Sequence, residues 1–416
     1  MTAHVMFYLI IAILVFQFLF DRWMEYLNKS KWQSEIPAEL DGIYDPEKYK
    51  QQQLYRKANY GFSWLGDVFS LVVILLVLYL GGFAWLNNWV LQVTDHVILQ
   101  SLLFFAVLAV GSDVIQLPFG VYGTFVIEER FGFNKTTPKT FVLDHIKSLF
   151  LGALIGGPIL AAIIWFYSQT GSAFWIYAWG LSSGFMILMT MFYTSWILPL
   201  FNKQTPLEEG ELRSAIEAFS QKAGFQLDNV FVMDGSRRST KANAFFSGLG
   251  SRKRIVLYDT LINDLNTEEI VAVLAHEVGH YKLKHTLWGM LTGLLQTGAM
   301  LFLFSLVVNS SLLSGALGVD QPNFHIGLLA FGLLYSPVSF VTGMIMSLVS
   351  RKNEYAADAF AVKFDLGNAL ISGLKTISVN ALSNLTPHPW YVFFHYSHPP
   401  LLQRVKAIKD LSQRSL

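Results

Sequence analysis

The chain of 416 residues contains no cysteine. Disulfide bonds and thiolate metal ligands are therefore excluded, and any metal ion must be held by histidine and carboxylate groups. Charge is also scarce, because 14% of the residues are Asp, Glu, Lys or Arg, whereas an ordinary soluble domain has roughly 25%. The formal net charge is +1, which gives no electrostatic reason to expect nucleic acid as a partner.

Apolar residues are abundant: 53% of the chain is hydrophobic and its mean hydropathy is +0.42. Seven stretches are long and apolar enough to cross a bilayer as helices, namely residues 5–20, 64–85, 97–122, 148–167, 174–200, 287–308 and 326–349. The first stretch has no basic residues before it and no small-residue cleavage site, so we interpret it as a retained span and not as a signal peptide. The composition predicts a mainly α, multispanning membrane protein with seven transmembrane helices.

All 30 Lys and Arg residues fall in alternate connections between these stretches. Residues 21–63, 123–147, 201–286 and 350–416 hold seven, four, eleven and eight of them. Because basic residues stay on the cytoplasmic side, we expect the N-terminus outside and the C-terminus in the cytoplasm. This compact chain has no organelle retention signal, so we expect the inner membrane of a bacterium as its location.

These stretches divide the chain into four segments. Residues 1–200 carry five transmembrane helices with cytoplasmic loops at 21–63 and 123–147, and residues 201–286 form a cytoplasmic segment. Residues 287–349 form a transmembrane hairpin, and residues 350–416 are a second cytoplasmic segment. Asp67 and Asp113 lie inside predicted spans, where an ionisable group either faces a cavity or fixes helix packing through a buried hydrogen bond. The sequence leaves both possibilities open.

The segment that precedes the hairpin contains the motif H-E-V-G-H. His276 and His280 are four residues apart, so on a helix both imidazoles project from one face and can bind one metal ion. Glu277 can then take a proton from a water molecule on that metal. Asn266 and Glu269 form a predicted capping box at the start of this helix. The alternative is a chance match, which arises on the order of once in a hundred chains of this length.

Glu354 is the best candidate for a third ligand, because it gives a His, His, Glu site with an open fourth position. Asp358, one helical turn later, is placed to accept the free N–H of a bound imidazole. Taken alone, the two residues would form an ordinary solvated acidic face. The predicted hairpin between the motifs, however, returns Glu354 to the level of His276, which predicts a zinc site at the cytoplasmic membrane boundary.

The sequence H-P-P at His398, followed by Arg404, offers donors for an oxyanion. Its alternative is a proline-stiffened helix start with a solvated arginine. His285 lies five residues beyond His280, on a different face of a continuous helix, so we interpret it as an interfacial residue and not as a ligand.

Asn243, Ala244 and Phe245 precede the zinc motif in a short extended segment. Such a segment can bind a peptide by strand addition, with the Asn side chain bonded to the peptide backbone. A core strand is an equally good interpretation.

Several motifs in the same order resemble the type I CAAX prenyl protease family of integral-membrane zinc endopeptidases. They are F-V-I-E-E-R at 125–130, G-F-N-K-T-T at 132–137, L-P-L-F-N-K at 198–203, N-A-F at 243–245, H-E-V-G-H at 276–280, N-E-Y-A-A-D at 353–358 and H-P-P at 398–400. The resemblance covers most of the chain, and the ordered set is far more specific than H-E-x-x-H alone.

The resemblance implies seven helices around a water-filled chamber, closed by a small cytoplasmic α/β zinc-peptidase domain of gluzincin type. It implies one Zn²⁺ ion per chain and cleavage after a prenylated cysteine, with no need for an oligomer. It also implies roles for individual residues: His276, His280 and Glu354 as ligands, Glu277 as base, Asp358, His398 and Arg404 as transition-state support, and the strand at Asn243, Ala244 and Phe245 as substrate holder.

Two alternatives remain at this stage. One is a membrane-protein quality-control protease of the heat-shock type, whose members share the zinc motifs but have fewer spans. The other is a transporter or scaffold with a structural zinc site. Structural zinc sites are closed by four protein ligands, whereas this sequence offers three ligands and a neighbouring glutamate.

Overall fold

The computed structural model describes residues 2–224, 230–248 and 254–414. Within these ranges it contains sixteen α-helices and four strands. The helices are α1 (Ala3–Lys29), α2 (Pro46–Tyr79), α3 (Gly82–Val93), α4 (Val97–Tyr122), α5 (Pro138–Leu151), α6 (Gly157–Thr170), α7 (Phe174–Trp196), α8 (Glu211–Lys222), α9 (Asp259–Asp264), α10 (Thr267–Lys282), α11 (His285–Val307), α12 (Ser311–Ala316), α13 (Phe324–Val362), α14 (Gly367–Asn380), α15 (Pro389–His395) and α16 (Leu401–Arg414). The strands are β1 (Gln204–Pro206), β2 (Val230–Met233), β3 (Ala244–Ser247) and β4 (Arg254–Tyr258).

Six helical segments of the described chain are long and apolar enough to cross a membrane. One of them, Pro138–Leu200, has 63 residues and would be roughly 95 Å long as a straight helix, about three bilayer cores. It does not run straight, because the chain reverses after α6. Gly171, with a φ of 56°, caps the end of α6, and α7 packs back against α6. The six segments therefore overlap all seven predicted stretches.

The predicted spanning stretch 64–85 extends beyond the end of the helix that it describes. Helix α2 stops at Tyr79, and Gly81, with a φ of 68°, turns the chain into the separate helix α3. Glycine adopts this left-handed conformation without the steric cost that a Cβ imposes. The hydropathy pattern missed the break because both sides of it are apolar.

The spanning helices carry large apolar side chains on their outer surfaces, among them Phe16, Trp165 and Leu295. Such exposure is favourable where the surroundings are hydrocarbon and not water. At the end of the spanning helices where α1 begins, the helices α1, α3, α4, α12 and α13 share a buried apolar cluster. His325 fixes this end, because its ring nitrogens lie 3.2 Å from Ser101 Oγ and 2.9 Å from Asn87 Oδ1.

Asp67 and Asp113 each pair with a basic group on a neighbouring helix. Arg22 Nη2 lies 2.5 Å from Asp67 Oδ2, and His145 Nε2 lies 2.9 Å from Asp113 Oδ2. The Arg22–Asp67 pair also lines a cavity of about 570 Å³ between α1, α2 and α15. Asp67 therefore combines the two roles that the sequence left open, since it joins helices and faces a cavity.

The remaining elements form an α/β unit at the other end of the spanning helices. Its sheet has the order β1-β2-β4-β3, with β2 and β4 parallel and the outer pairs antiparallel. Helix α10 lies in the core of this unit and packs against α8, α13 and α14. The predicted capping box is confirmed: Asn266 Oδ1 accepts from the Glu269 N–H, and Glu269 Oε2 accepts from the Asn266 N–H, both at 3.0 Å.

Candidate active site

His276 and His280 lie on the same face of α10, as their spacing predicts. The two Nε2 atoms are 3.1 Å apart. His276 is buried, whereas His280 is partly exposed. Both Nε2 atoms therefore point towards one location at the surface of the helix.

Glu354 reaches the same location from α13. Its Oε1 lies 3.3 Å from His280 Nε2 and its Oε2 lies 3.5 Å from His276 Nε2. Helices α11 and α13 form the returning membrane hairpin that brings Glu354 back to α10, although it comes 74 positions after His280 in the sequence. Glu354 is almost fully buried.

The glycine of H-E-V-G-H allows α10 and α13 to approach this closely. A Cβ at Gly279 would lie 3.0 Å from Phe360 Cβ and 3.2 Å from the backbone of Ala357. Any larger residue would push α13 outwards and with it Glu354. The motif thus supplies both ligands and the small residue that lets the third ligand come near.

The three side chains fit a single metal ion. Their ligand atoms lie within 4.8 Å of one another. Four ligands at zinc bond lengths of roughly 2.0–2.1 Å in a tetrahedron are about 3.3 Å apart, close to the spacings of 3.1–3.5 Å seen here. Glu354 Oε2 is also buried, and its nearest partners among the described residues, His276 Nε2 and Arg404 Nη1, are both 3.5 Å away, so a cation would supply the close contact that this oxygen lacks.

Asp358 and Arg404 lie behind His276. Asp358 Oδ1 is 2.9 Å from His276 Nδ1, so the second ring nitrogen is held while Nε2 is left for a metal. Arg404 binds both Asp358 oxygens, at 2.9 Å through Nε and 2.6 Å through Nη2. Its Nη1 is 3.5 Å from Glu354 Oε2. Arg404 is buried, so its guanidinium balances the carboxylates instead of facing solvent.

This arrangement shifts the proton affinities of the site. Burial alone would lower the pKa of His276, but its bonds to Asp358 and Glu354 outweigh burial and raise that pKa to about 9 in the metal-free protein. Burial raises the pKa of the Glu277 carboxyl, and the neighbouring histidines oppose this rise. Burial would likewise lower the pKa of Arg404. The hydrogen bonds and the charge of Asp358 outweigh burial and raise that pKa.

His398 lies at the open side of the site. Its Nε2 is 3.3 Å from Glu354 Oε1, while 65% of its side chain is exposed. Ser397 Oγ is 3.0 Å from the other ring nitrogen. The imidazole is thus held beside the ligands with access to a molecule that arrives from solvent.

The comparisons with known proteins cover the full length of the chain. Residues 25–203 match the family described as CAAX prenyl protease N-terminal, five membrane helices, and residues 206–412 match peptidase family M48. The CAAX prenyl protease 1 homolog of Oryza sativa subsp. japonica is 35% identical, with 97% of each chain covered. CAAX prenyl protease 1 of Saccharomyces cerevisiae is 36% identical over 96% of this chain and 94% of its own. The chain belongs to the CAAX prenyl protease 1 family of M48 peptidases.

The crystal structure of S. mikatae Ste24p is similar to this chain throughout, with a TM-score of 0.91 and 34% identity over 97% of this chain and 99% of that one. The family assigned from the ordered motifs is therefore confirmed. This member of the CAAX prenyl protease 1 family is a multi-pass integral membrane metalloendopeptidase that binds a metal ion. The transporter or scaffold alternative is set aside.

In this protease, Asn243 directly precedes the edge strand β3. Its carbonyl accepts from the Tyr258 N–H at 3.0 Å, and its Oδ1 accepts from the Ala244 N–H at 2.9 Å. Phe245 pairs with Val256 of β4. In an antiparallel pair, successive residues direct their main-chain N–H and C=O groups alternately towards and away from the partner strand. Because the Asn243 carbonyl bonds to β4, the main-chain groups of residue 244 face away from β4. The segment is thus a strand at the rim of the sheet and not in its centre.

Sequence reasoning missed two features. His285 was interpreted as an interfacial residue on a different face from His280, and the different face is wrong, because its Nδ1 lies 3.0 Å from His280 Nδ1. Lys241, at the start of the edge segment, bonds Glu128 Oε2 at 2.8 Å, and Glu128 also accepts from Tyr55. This partly buried trio ties the rim of the sheet to α2 and to the helical turn that continues α4. The acidic residues at 128–129, which follow a predicted span, are the feature of the sequence that could have indicated this contact.

Proposed function

We propose that this protein is a zinc-dependent membrane endopeptidase that cleaves prenylated CAAX-type peptides or other membrane-associated peptides. The observation that carries the proposal is the convergence of His276, His280 and Glu354 at the end of two spanning helices, with an exposed His398 on the open side. The relatives that match over the full length are named CAAX prenyl proteases, which supports the substrate class.

We propose zinc as the metal, one ion per chain, because two imidazoles and one carboxylate are a common donor set of catalytic zinc. His276, His280 and Glu354 would hold it. When bound, zinc supplies Lewis acidity, which acidifies water and polarises a carbonyl group.

Glu277 is the proposed general base. Burial raises the pKa of its carboxyl, which makes its carboxylate a stronger base than a solvent-exposed one. It would accept the proton of the attacking water and deliver it to the leaving amine. This requires it to stay outside the ligand set, next to His276.

The other three proposed catalytic residues divide into two tasks. His398 would donate to the oxyanion of the transition state from its exposed position. Asp358 would hold the tautomer of His276, and Arg404 would stabilise Asp358 through its two hydrogen bonds. The proposed effect of Arg404 on the transition state is therefore exerted through its neighbours.

The edge segment is the proposed substrate-binding strand. A peptide that adds alongside Asn243, Ala244 and Phe245 would gain main-chain hydrogen bonds at residue 244, because the main-chain groups of the other two residues face β4, and its side chains would stay largely unselected. Its position on the rim of the sheet, with residue 244 facing away from β4, supports this role.

We also propose the orientation with the N-terminus outside and the metal site in the cytoplasm, on the basis of the basic residues. The bacterial inner membrane and the four segments 1–200, 201–286, 287–349 and 350–416 remain proposals. Fractionation of the source cells tests the first, and limited proteolysis between the segments tests the second.

The decisive experiment for the substrate is cleavage of matched peptides by the purified zinc-loaded protein. One peptide carries a farnesyl group on the cysteine that is the fourth residue from its C-terminus, and one is identical but unmodified. A third peptide is short and hydrophilic, and a fourth is a long hydrophobic segment. We expect cleavage on the carboxyl side of the farnesylated cysteine, weaker binding of the unmodified peptide and slow cleavage of the hydrophobic one.

Glu277→Gln serves as the matched inactive control in that experiment. Equal cleavage of the farnesylated peptide and a short hydrophilic peptide would contradict lipid-directed delivery. Faster cleavage of damaged membrane segments than of the farnesylated peptide would instead favour the quality-control alternative.

A further inference from the structure

His285 contacts the back of the second histidine ligand. Its Nδ1 lies 3.0 Å from His280 Nδ1, on the opposite side of the imidazole from Nε2, which faces Glu354. The two rings are tilted by 72° with centroids 5.1 Å apart, so they meet nitrogen to nitrogen and are not stacked. His285 is therefore outside the set of atoms that converge on the metal site.

We infer that His285 is a positioning residue that accepts the Nδ1–H of His280 and so orients this imidazole towards the metal. The inference rests on the proposed zinc site. A ligand that binds through Nε2 must carry its remaining proton on Nδ1, and that N–H needs an acceptor. The only group at hydrogen-bond distance from His280 Nδ1 in the described structure is His285 Nδ1.

The conformation of the turn between α10 and α11 makes this contact possible. On a continuous helix, residues five apart are about 140° apart around the axis, so His285 would point away from His280. Lys284 instead has a φ of 59°, the left-handed conformation, and it ends one helix while the next begins at His285. A non-glycine residue in this conformation costs free energy of about 1 kcal/mol, and here it returns His285 to the site.

The two histidine ligands are thus oriented by different acceptors. His276 donates to Asp358, whose charge is balanced by Arg404. His280 donates to a neutral imidazole, which needs no balancing cation in this partly exposed part of the site. His285 must be the tautomer that carries its proton on Nε2, because Nδ1 is the acceptor.

Three substitutions at position 285 separate hydrogen bonding from packing. His285→Asn keeps an acceptor, since its Oδ1 occupies nearly the position of Nδ1. His285→Phe keeps a ring of similar shape without an acceptor, and His285→Ala removes both. His96→Ala, an exposed histidine at the other end of the spanning helices, is the matched control.

The measurement is zinc affinity, by chelator competition with the purified metal-free protein. We expect a loss of 10- to 100-fold for His285→Phe and His285→Ala, near wild-type affinity for His285→Asn and no change for His96→Ala. The visible spectrum of the Co²⁺-substituted protein should keep its intensity in all variants, because the number of ligands does not change.

Two results would overturn the inference. Equal zinc affinity in His285→Phe and wild type would show that the contact does not orient His280. Loss of metal as complete as in His280→Ala, together with a changed Co²⁺ spectrum, would make His285 a ligand. If the wild type itself bound no zinc, the proposed function would fail instead. Circular dichroism checks that each variant is folded.

Discussion

Individual residues of the site divide the work of holding a metal ion from the work of moving a proton. His276 and His280 are each held by a neighbour at the ring nitrogen that faces away from the site, and their Nε2 atoms converge with the Glu354 carboxylate on the location left for the metal. Glu277 follows His276 directly but is absent from this converging set. Its proposed role can therefore be tested without disturbing metal binding.

Glu277→Gln should leave zinc stoichiometry near one per chain and reduce turnover by several orders of magnitude. Glutamine keeps the shape of the side chain but cannot take up a proton. The measurement is zinc content by atomic absorption beside cleavage of the farnesylated peptide. Glu354→Gln is the comparison, and it should lose zinc as well as activity. A zinc-free Glu277→Gln protein would show that the two roles are misassigned.

Zinc binding to the metal-free protein should tighten as pH rises. The pKa of His276 is raised from 6.5 to about 9, so the protonated ring predominates below pH 9 and zinc must displace its proton. One displaced proton makes affinity rise about tenfold per pH unit between pH 6.5 and 9, and the rise should end above pH 9. Chelator competition across this range measures it. A flat profile would mean that His276 is already neutral at pH 7.

At the level of helices and strands, the sequence predicts what local periodicity controls. The capping box at Asn266, the shared face of the two histidines and the return of Glu354 by the hairpin all follow from spacing. The left-handed turn at Lys284 does not, because lysine has no preference for that conformation, and so the contact of His285 was missed. The pairing of Arg404 with Asp358 depends on tertiary packing and was equally out of reach.

Gly279→Ala tests whether the close approach of α10 and α13 sets the metal site. Helix propensity alone would stabilise α10 by about 1 kcal/mol. The added Cβ would instead meet Phe360 and the backbone of Ala357, at a cost of about 1–3 kcal/mol and with displacement of Glu354. We therefore expect weaker zinc binding and a lower midpoint of thermal unfolding.

Gly289→Ala on α11 is the matched control for this substitution, because a Cβ there meets no atom within 4 Å. It should leave zinc affinity unchanged. If Gly279→Ala bound zinc as tightly as the control, the contact between the two helices would not determine the position of Glu354.

For the molecule as a whole, the metal site lies where α11 begins and where α13 continues beyond its spanning part. A lipid chain of a substrate can remain among the spanning helices while its peptide reaches the site. Each buried methylene contributes about 0.8 kcal/mol, so the prenyl group of the proposed substrate can supply much of the binding free energy. This arrangement requires the α/β unit to be on the side of the membrane from which the lipidated peptide arrives.

The orientation of the whole molecule can be tested with single cysteines, since the chain has none of its own. Gln169→Cys places a thiol near the turn between α6 and α7, and Glu208→Cys places one between α7 and α8; both positions are exposed. Because every Lys and Arg lies on the side of residue 208, we expect a membrane-impermeant maleimide to label residue 169 in right-side-out vesicles and residue 208 in inside-out vesicles. Retained cleavage of the farnesylated peptide by both variants shows that the labelled protein is native. The reverse labelling pattern would place the metal site outside the cytoplasm, and a prenylated substrate would then have to cross the membrane before cleavage.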